Sequence, residues 1–364
     1  MINFANPKSE YLDKKKEIDL VISQTLKSND YILGKSVKKF ERNFSNYNQC
    51  KYSIGVSSGT EAIIICLKSL GIKMGDEVIT TSHTAYATVA AITEIGAKPV
   101  LIDIENNYFN MNYEEITKNL SKKTKCLILV HLYGIVANIK KIKEICIKNR
   151  IFLIEDCAQA HGAEFNGKKV GTFGDFGTFS FYPTKNLSTF GDAGAIITNN
   201  HKLYTKAKLY REYGWKKKNI GIIKSINRRM DEIHAAILNV KLKYLNNYNR
   251  KRVKIAQLYS NEIKNKNIIL PQTLPGTKNV FHLYVIIVKK NLRNKLIKFL
   301  QKNNINPGIH YKLANHQQIP FKNFKKSKLI NTKKIVPNIL SLPIYPALSF
   351  ENVKKIIKLI NLFD

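Results

Sequence analysis

The chain has 364 residues, with 60 Lys and Arg against 26 Asp and Glu, a formal net charge of +34 and 44% hydrophobic residues. At roughly 100–200 residues per domain, that length holds two domains or one large α/β body, and the apolar content excludes a mostly disordered chain. No run approaches the roughly 18 apolar residues of a membrane span, and the polar stretch Met1 to Lys16 lacks the apolar core of a signal peptide, so a cytoplasmic location without membrane contact is expected.

In chain order, short β-rich apolar runs alternate with longer stretches of helical period from about Tyr52 to Asn199, which predicts a mainly parallel sheet covered by helices, an α/β fold. A helix over Thr60–Leu70 is followed by a strand at Glu77–Thr81, a helix around Tyr86–Ile95 and a strand at Lys98–Asp103. Further strands are predicted at Cys126–His131, Ile151–Glu155, Phe176–Phe181 and Ala195–Thr198, with a crossover helix at Ile139–Lys148. After Arg229 the helical pattern runs from Asp231 to about Leu258 and breaks at Pro271, Pro275 and Gly276. Beyond the break, a strand Phe281–Val288, a helix Leu292–Lys302 and an amphipathic tail Glu351–Phe363 form a smaller α+β unit. We expect a large domain over residues 1–250 and a small C-terminal domain over residues 251–364.

The five cysteines, Cys50, Cys66, Cys126, Cys146 and Cys157, form no CxxC pair and suit a reducing compartment better than a disulfide scaffold or a metal site, so no metal is expected. Residues 246–364 carry 23 Lys and Arg against 3 Asp and Glu, which places +20 of the +34 there. A basic excess of this size suits a polyanion such as nucleic acid. Base readout favours Arg and Asn in an ordered element, however, and here single Lys residues stand on what read as solvated helix faces, so no nucleic-acid partner is expected.

Three constellations could carry chemistry. In Gly55-Val56-Ser57-Ser58-Gly59-Thr60-Glu61-Ala62 a strand turns through small residues into a helix, whose unpaired N–H groups and positive dipole end make a phosphate site; the same residues would also serve as an ordinary N-cap. In Ile154-Glu155-Asp156-Cys157-Ala158-Gln159 an apolar strand delivers two carboxylates at its C-terminal end, the edge at which open α/β sheets bind ligands, although Asp156 could equally cap a helix. In Phe179-Ser180-Phe181-Tyr182-Pro183-Thr184-Lys185-Asn186, followed by Gly191-Asp192-Ala193-Gly194-Ala195, Lys185 lies among uncharged neighbours. Such surroundings lower an amine's pKa and make it a usable nucleophile.

The set SGTEA, EDCAQAHGA, FSFYPTKN with GDAGA, and NRRMDEIHAAIL resembles the DegT/DnrJ/EryC1/StrS sugar aminotransferases, which use pyridoxal phosphate on the aspartate-aminotransferase fold. The resemblance extends from about Glu41 through the tail. It implies that Lys185 binds the cofactor aldehyde and shuttles a proton, that Asp156 pairs with the pyridine nitrogen, and that Gln159 reaches the ring hydroxyl. Gly59, Thr60 and Ser180 would hold the phosphate, joined by Asn227 of a neighbouring subunit, which implies a homodimer with shared active sites. His161 would order the Asp156 loop. One departure is Ala85 in Ser82-His83-Thr84-Ala85-Tyr86-Ala87-Thr88, where relatives place a bulky group against the ring; His83 is the candidate to replace it.

The resemblance further implies L-glutamate as amino donor, pyridoxamine phosphate as the intermediate form of the cofactor, and a nucleotide-linked keto sugar as acceptor, with His310, Tyr311 and His316 as substrate contacts. The segments SHTAYATVAAI, REYGW and YNRKR look closest to relatives acting on C-3 of dTDP-linked 3-keto-6-deoxyhexoses, for surface-glycan (lipopolysaccharide) biosynthesis. The alternatives are C-4 amination of a UDP- or dTDP-linked 4-keto sugar, or, in a different class, a non-catalytic regulator or nucleic-acid binder. A dehydratase of the same group would carry His in place of Lys185.

Overall fold

The computed structural model describes residues 1–106, 108–289 and 291–364. Its centre is a seven-stranded sheet in the order Tyr52–Val56, Gly194–Thr198, Phe176–Ser180, Phe152–Asp156, Thr124–Val130, Glu77–Thr81, Lys98–Ile102. Neighbouring strands run parallel except at Gly194–Thr198, which is antiparallel to both of its neighbours. The inner strands are buried on both faces, as in Ile128 and Ile154 against one layer and Leu127 and Leu129 against the other, which is why they read as continuous apolar runs.

Helices Gly59–Ser69, Tyr86–Glu94 and His201–Arg211 cover one face. The other is covered in part by Ile139–Asn149, whose Ile139, Ile142 and Cys146 recur at helical spacing and are buried. The predicted strands and helices of this region fall within a few residues of those observed.

The long pattern after Arg229 is two helices, Glu232–Leu242 and Leu245–Glu262, and not one. At the junction the N–H of Lys243 bonds Val240 and that of Tyr244 bonds Lys241, a tightening to three-residue spacing that resets the direction without Gly or Pro to announce it. The second helix bridges two cores: Leu245 packs under the large sheet, while Ile255, Ala256 and Tyr259 enter a separate cluster with Tyr284, Ile286, Leu296, Leu340 and Ile356.

That second cluster surrounds an antiparallel sheet of Ile268–Ile269, Tyr284–Val288 and Ile339–Leu342, flanked by Arg293–Lys302 and Phe350–Leu362. The Pro271–Gly276 break does not simply separate the units: Thr277–Lys278, just after it, pairs with Glu164–Phe165 of the large unit. The N-terminal strand Ile2–Asn3 lies parallel to Ile305–Asn306 of the C-terminal unit, and the Phe4 carbonyl that follows accepts the Ile344 N–H of the same unit. No helix among the described residues is long and apolar enough to cross a membrane.

Candidate active site

The carboxyl ends of the central strands open on a cavity of about 230 Å³, lined by Ser58, Gly59, Thr60, Thr84, Ala85, Thr88, Asp156, Gln159, Ser180, Tyr182, Lys185 and Asp192, among others. All three sequence constellations therefore meet at one place.

At one end the helix Gly59–Ser69 points its N-terminus into the cavity. Ser58 caps it by accepting the Glu61 N–H at 3.1 Å, so the capping reading and the anion-site reading hold together. Gly59 is required by contact: a Cβ there would stand 2.6 Å from Ser180 Cβ. The two chains meet this closely because Gly194 of the intervening strand also carries no side chain; a Cβ on it would lie 2.3 Å from the Ser58 carbonyl oxygen. Glu61 in the first helical turn would repel an anion, but its carboxylate is paired with Arg228.

Asp156 ends its strand with its side chain buried in the cavity wall. One carboxylate oxygen accepts the Ala158 N–H at 3.1 Å and the other accepts the Thr88 hydroxyl at 2.9 Å. Burial pushes its pKa up, opposed by those two donors and by the charges of Lys185 and His131.

Lys185 is half-buried in the turn after Ser180, its N–H bonded to the Tyr182 carbonyl at 2.9 Å. Burial pushes the ammonium down to about 8, with Asp156 pulling the other way. From its ordinary value near 10.4, that change raises the neutral fraction at pH 7.5 from about one in a thousand to roughly a quarter. The neutral amine is the nucleophile. The rate at which the apoprotein takes up an aldehyde ligand should therefore climb as pH rises through about 8 and level off above it, a course that stopped-flow absorbance will follow.

Gln159 lines the cavity with its amide oriented by two bonds: Oε1 accepts the Tyr133 N–H at 2.7 Å and Nε2 donates to the Tyr311 hydroxyl at 2.9 Å, which leaves one N–H on Nε2. Tyr311 thereby ties the C-terminal unit to the cavity wall. His310 lies behind it, Nδ1 2.9 Å from the Ser341 hydroxyl and its ring 5.0 Å from that of Phe4. His316 sits 2.7 Å from the Ser82 hydroxyl, beside Asn315, whose side chain donates to the Ser82 and Thr84 carbonyls.

His83 is not among the described residues that line the cavity. Its ring is buried and turned away, Nε2 2.7 Å from the Tyr133 hydroxyl, and burial lowers its pKa to about 4. Ala85 faces the cavity as expected from the sequence. Asn227 is exposed, on the segment after the hairpin of Trp215–Lys217 and Ile220–Gly221, and is not among the cavity residues of its own chain.

His161 is buried between Phe179 and Phe181 and kept neutral, mainly by burial. Its carbonyl accepts from Asn249, which also bonds Asn186 next to Lys185. Glu155, the neighbour of Asp156, faces the opposite side of the strand. It accepts the N–H groups of Gly171, Phe173 and Gly174 together with His131 Nε2, so the group of His131, Glu155 and Cys157 is a structural tie whose carboxylate is already occupied.

Sequence reasoning missed Thr84, Thr88, Tyr133, Tyr182 and Asp192. All but Tyr133 stood inside segments already quoted, Thr84 and Thr88 in Ser82–Thr88 and Tyr182 and Asp192 in the turns around Lys185, but none was given a role there. The donor set fits pyridoxal phosphate: helix N–H groups, the Thr60 hydroxyl and the Ser180 hydroxyl for a phosphate, a buried carboxylate for a pyridinium, and an amine for an aldehyde. The cradle between Gly59 and Ser180 is of the kind that a single added Cβ would fill.

The DegT/DnrJ/EryC1/StrS aminotransferase family profile matches residues 12–361. A dTDP-3-amino-3,6-dideoxy-alpha-D-galactopyranose transaminase of Aneurinibacillus thermoaerophilus is 39% identical over 361 residues, covering 99% of each chain. A DegT/DnrJ/EryC1/StrS aminotransferase from Brucella abortus superposes with a TM-score of 0.96 at 29% identity over 100% of this chain and 99% of that one. NtdA from Bacillus subtilis, solved with bound cofactor PMP, superposes with a TM-score of 0.90 at 29% identity over 96% of this chain and 81% of that one.

Proposed function

The chain belongs to the DegT/DnrJ/EryC1/StrS aminotransferase family, a pyridoxal-phosphate-dependent sugar-nucleotide aminotransferase, and from that premise we propose that it moves the amino group of L-glutamate to C-3 of a dTDP-linked 3-keto-6-deoxyhexose. The observation that carries the chemistry is the meeting of Lys185, Asp156 and the Gly59–Ser180 cradle in one cavity. The choice of C-3 and of dTDP is supported by the Aneurinibacillus relative, whose name specifies both. Surface-glycan biosynthesis is the destination we propose for the amino sugar.

When bound, pyridoxal phosphate supplies an aldehyde carbon that accepts and returns the amino group, and a ring that takes up the electron pair left by a departing α-proton. The Gly59 and Thr60 N–H groups and the Ser180 hydroxyl would hold the phosphate, Asp156, ionised, would hold a proton on the ring nitrogen, and Gln159 would reach the ring hydroxyl. Lys185 Nζ, as the free amine, would take the α-proton of glutamate and return a proton on the cofactor side, and water would supply the keto oxygen of 2-oxoglutarate. In the second half-reaction the same atom delivers a proton to the former carbonyl carbon of the sugar. Across both halves glutamate gives the ketone its amino group and one hydrogen, as a proton and an electron pair, while the oxygen passes the other way through one water consumed and one released, so no external oxidant is needed. Tyr311, His310 and His316 would supply sugar contacts from the C-terminal unit, which Tyr311 joins to the cavity residue Gln159.

We divide the chain functionally into a cofactor-binding unit, residues 1–250, and a C-terminal unit, residues 251–364, that reaches over it. The partner in this proposal is a second copy. Asn227 is exposed on the segment next to the Trp215–Gly221 hairpin, where Ile220, Ile222 and Ile226 are also exposed, as suits a phosphate contact made across a dimer. Neither N227D nor K185A homodimers should turn over at more than a small fraction of the wild-type rate, but mixed subunits should recover activity, because each heterodimer keeps one complete site. Mixing that restores nothing would defeat shared sites.

The substrate assignment is tested by incubating the enzyme with glutamate and, separately, 3-keto and 4-keto forms of dTDP- and UDP-linked 6-deoxyhexoses. Amino-sugar formation from the dTDP-linked 3-keto compound is expected. Formation from a 4-keto compound alone would sink the C-3 reading.

A further inference from the structure

We propose that Thr88 is a positioning residue that aims the Asp156 carboxylate and keeps it ionised, so that Asp156 can hold a proton on the pyridine nitrogen of the cofactor. This rests on the role given to Asp156 above, but assigns a function to a residue that stands in the Ser82–Thr88 segment without one.

Thr88 lies in the first turn of the helix Tyr86–Glu94 and is completely buried. Its hydroxyl donates to Asp156 Oδ2 at 2.9 Å, while the Ala158 N–H meets Oδ1 at 3.1 Å. Two donors on two oxygens fix both the rotation of the carboxylate and its charge. Ala158 contributes through the backbone and cannot be varied by side-chain substitution; Thr88 is the side-chain half of the pair.

The Thr88 hydroxyl has only one proton, given to Asp156, so across the 3.4 Å to the Thr84 hydroxyl the Thr88 oxygen can only accept. Thr84 is held in turn through its carbonyl by the side chain of Asn315, from the C-terminal unit, at 2.9 Å. A hydroxyl in this position does work that valine of the same shape cannot.

The charged and titratable groups acting around Asp156 are Lys185 and His131, which favour its ionised form, and Tyr311 and Cys157, whose own ionisation it disfavours. Against them stands burial, which favours the neutral acid. Removing the Thr88 hydroxyl therefore moves the Asp156 pKa further up, because a donor to a carboxylate stabilises the charged form. The ionised fraction available for the pyridine falls most at the acid side of neutrality.

The test is a fluorescence and absorbance titration of the apoprotein with pyridoxal phosphate between pH 5.5 and 8.5, for wild type, Thr88→Val, Thr88→Ser, Asp156→Asn and the Thr88→Val/Asp156→Asn double variant. A hydrogen bond to a charged group is worth roughly a 10- to 100-fold change in an equilibrium constant. Thr88→Val should weaken binding by about that factor, and the pH below which affinity falls should move upward. Thr88→Ser should remain close to wild type in both respects.

In the Asp156→Asn background, Thr88→Val should cost little more, since the partner through which Thr88 acts is gone. A folded Thr88→Val protein with wild-type affinity and an unmoved pH course would overturn the proposal. So would an equally large Thr88→Val effect with and without Asp156. If Asp156→Asn alone leaves affinity and its pH course unchanged, the role given to Asp156 fails, a result distinct from failure of Thr88.

Discussion

Lys185→Ala is expected to lower kcat/KM by about 10³- to 10⁴-fold, because one substitution removes both the amine that binds the cofactor aldehyde and the base that moves the α-proton. The effect on folding should be small. Lys185 is half-buried in a cavity where burial already disfavours its charge, so its loss relieves a desolvation cost instead of breaking a network. Circular dichroism should therefore show an intact fold.

The spectrum separates the outcomes. Wild type reconstituted with pyridoxal phosphate should show a visible band from lysine-bound cofactor that bleaches on addition of glutamate. Borohydride should fix the cofactor covalently to the peptide containing Lys185. In Lys185→Ala the band and the covalent label should both vanish, while phosphate-mediated binding persists. A band unchanged in the variant would mean that another lysine binds the cofactor; no band in the wild type would remove the cofactor from this site altogether.

For Asp156→Asn, a fall of about 10²- to 10³-fold in kcat is expected, the size that follows from removing one preorganised electrostatic contact in a dry site. The substitution keeps the shape of the side chain and removes its charge. The Ala158 N–H can stay on the amide oxygen while the amide NH2, in place of the second oxygen, donates to the Thr88 hydroxyl oxygen, so the local packing survives. What is lost is the negative charge that keeps the ring nitrogen protonated, and with it the capacity of the ring to accept electrons when Lys185 takes the α-proton. Single-turnover kinetics with glutamate will show whether the loss falls on the chemical step. An unchanged first half-reaction would show that Asp156 is a structural residue at the strand end and no partner of the ring.

The two largest effects thus fall on residues already legible in the sequence. Lys185, Asp156 and the Ser58–Thr60 loop each belong to a contiguous segment whose chemistry is local: an uncharged turn around an amine, an acid at the end of an apolar strand, a small-residue entry into a helix. The mainly parallel sheet was legible for a similar reason, since alternation of buried strands with amphipathic helices is written at short range. Where the pattern failed, at the junction near Tyr244, two helices share a continuous apolar period and a short-range tightening divides them without a breaker residue.

The relations between segments were another matter. His83, adjacent in sequence to the residues of the cavity, turns to the Tyr133 hydroxyl, because the neighbouring strand end brings a buried phenol within 2.7 Å and the imidazole satisfies it there. Thr88 reaches Asp156 across the sheet face, Ser180 abuts Gly59 over a glycine in the strand between them, and Tyr311 returns from the C-terminal unit to Gln159.

Each of these contacts depends on strand order and on which faces pack together, which local periodicity does not encode. The high positive charge divides in the same way. The sequence by itself determined its sign, its excess after residue 245, the sheet and the uncharged surroundings of Lys185. The tertiary structure decided which polar groups meet that lysine, because burial leaves each buried donor or acceptor only the partners that chain packing brings within hydrogen-bond reach.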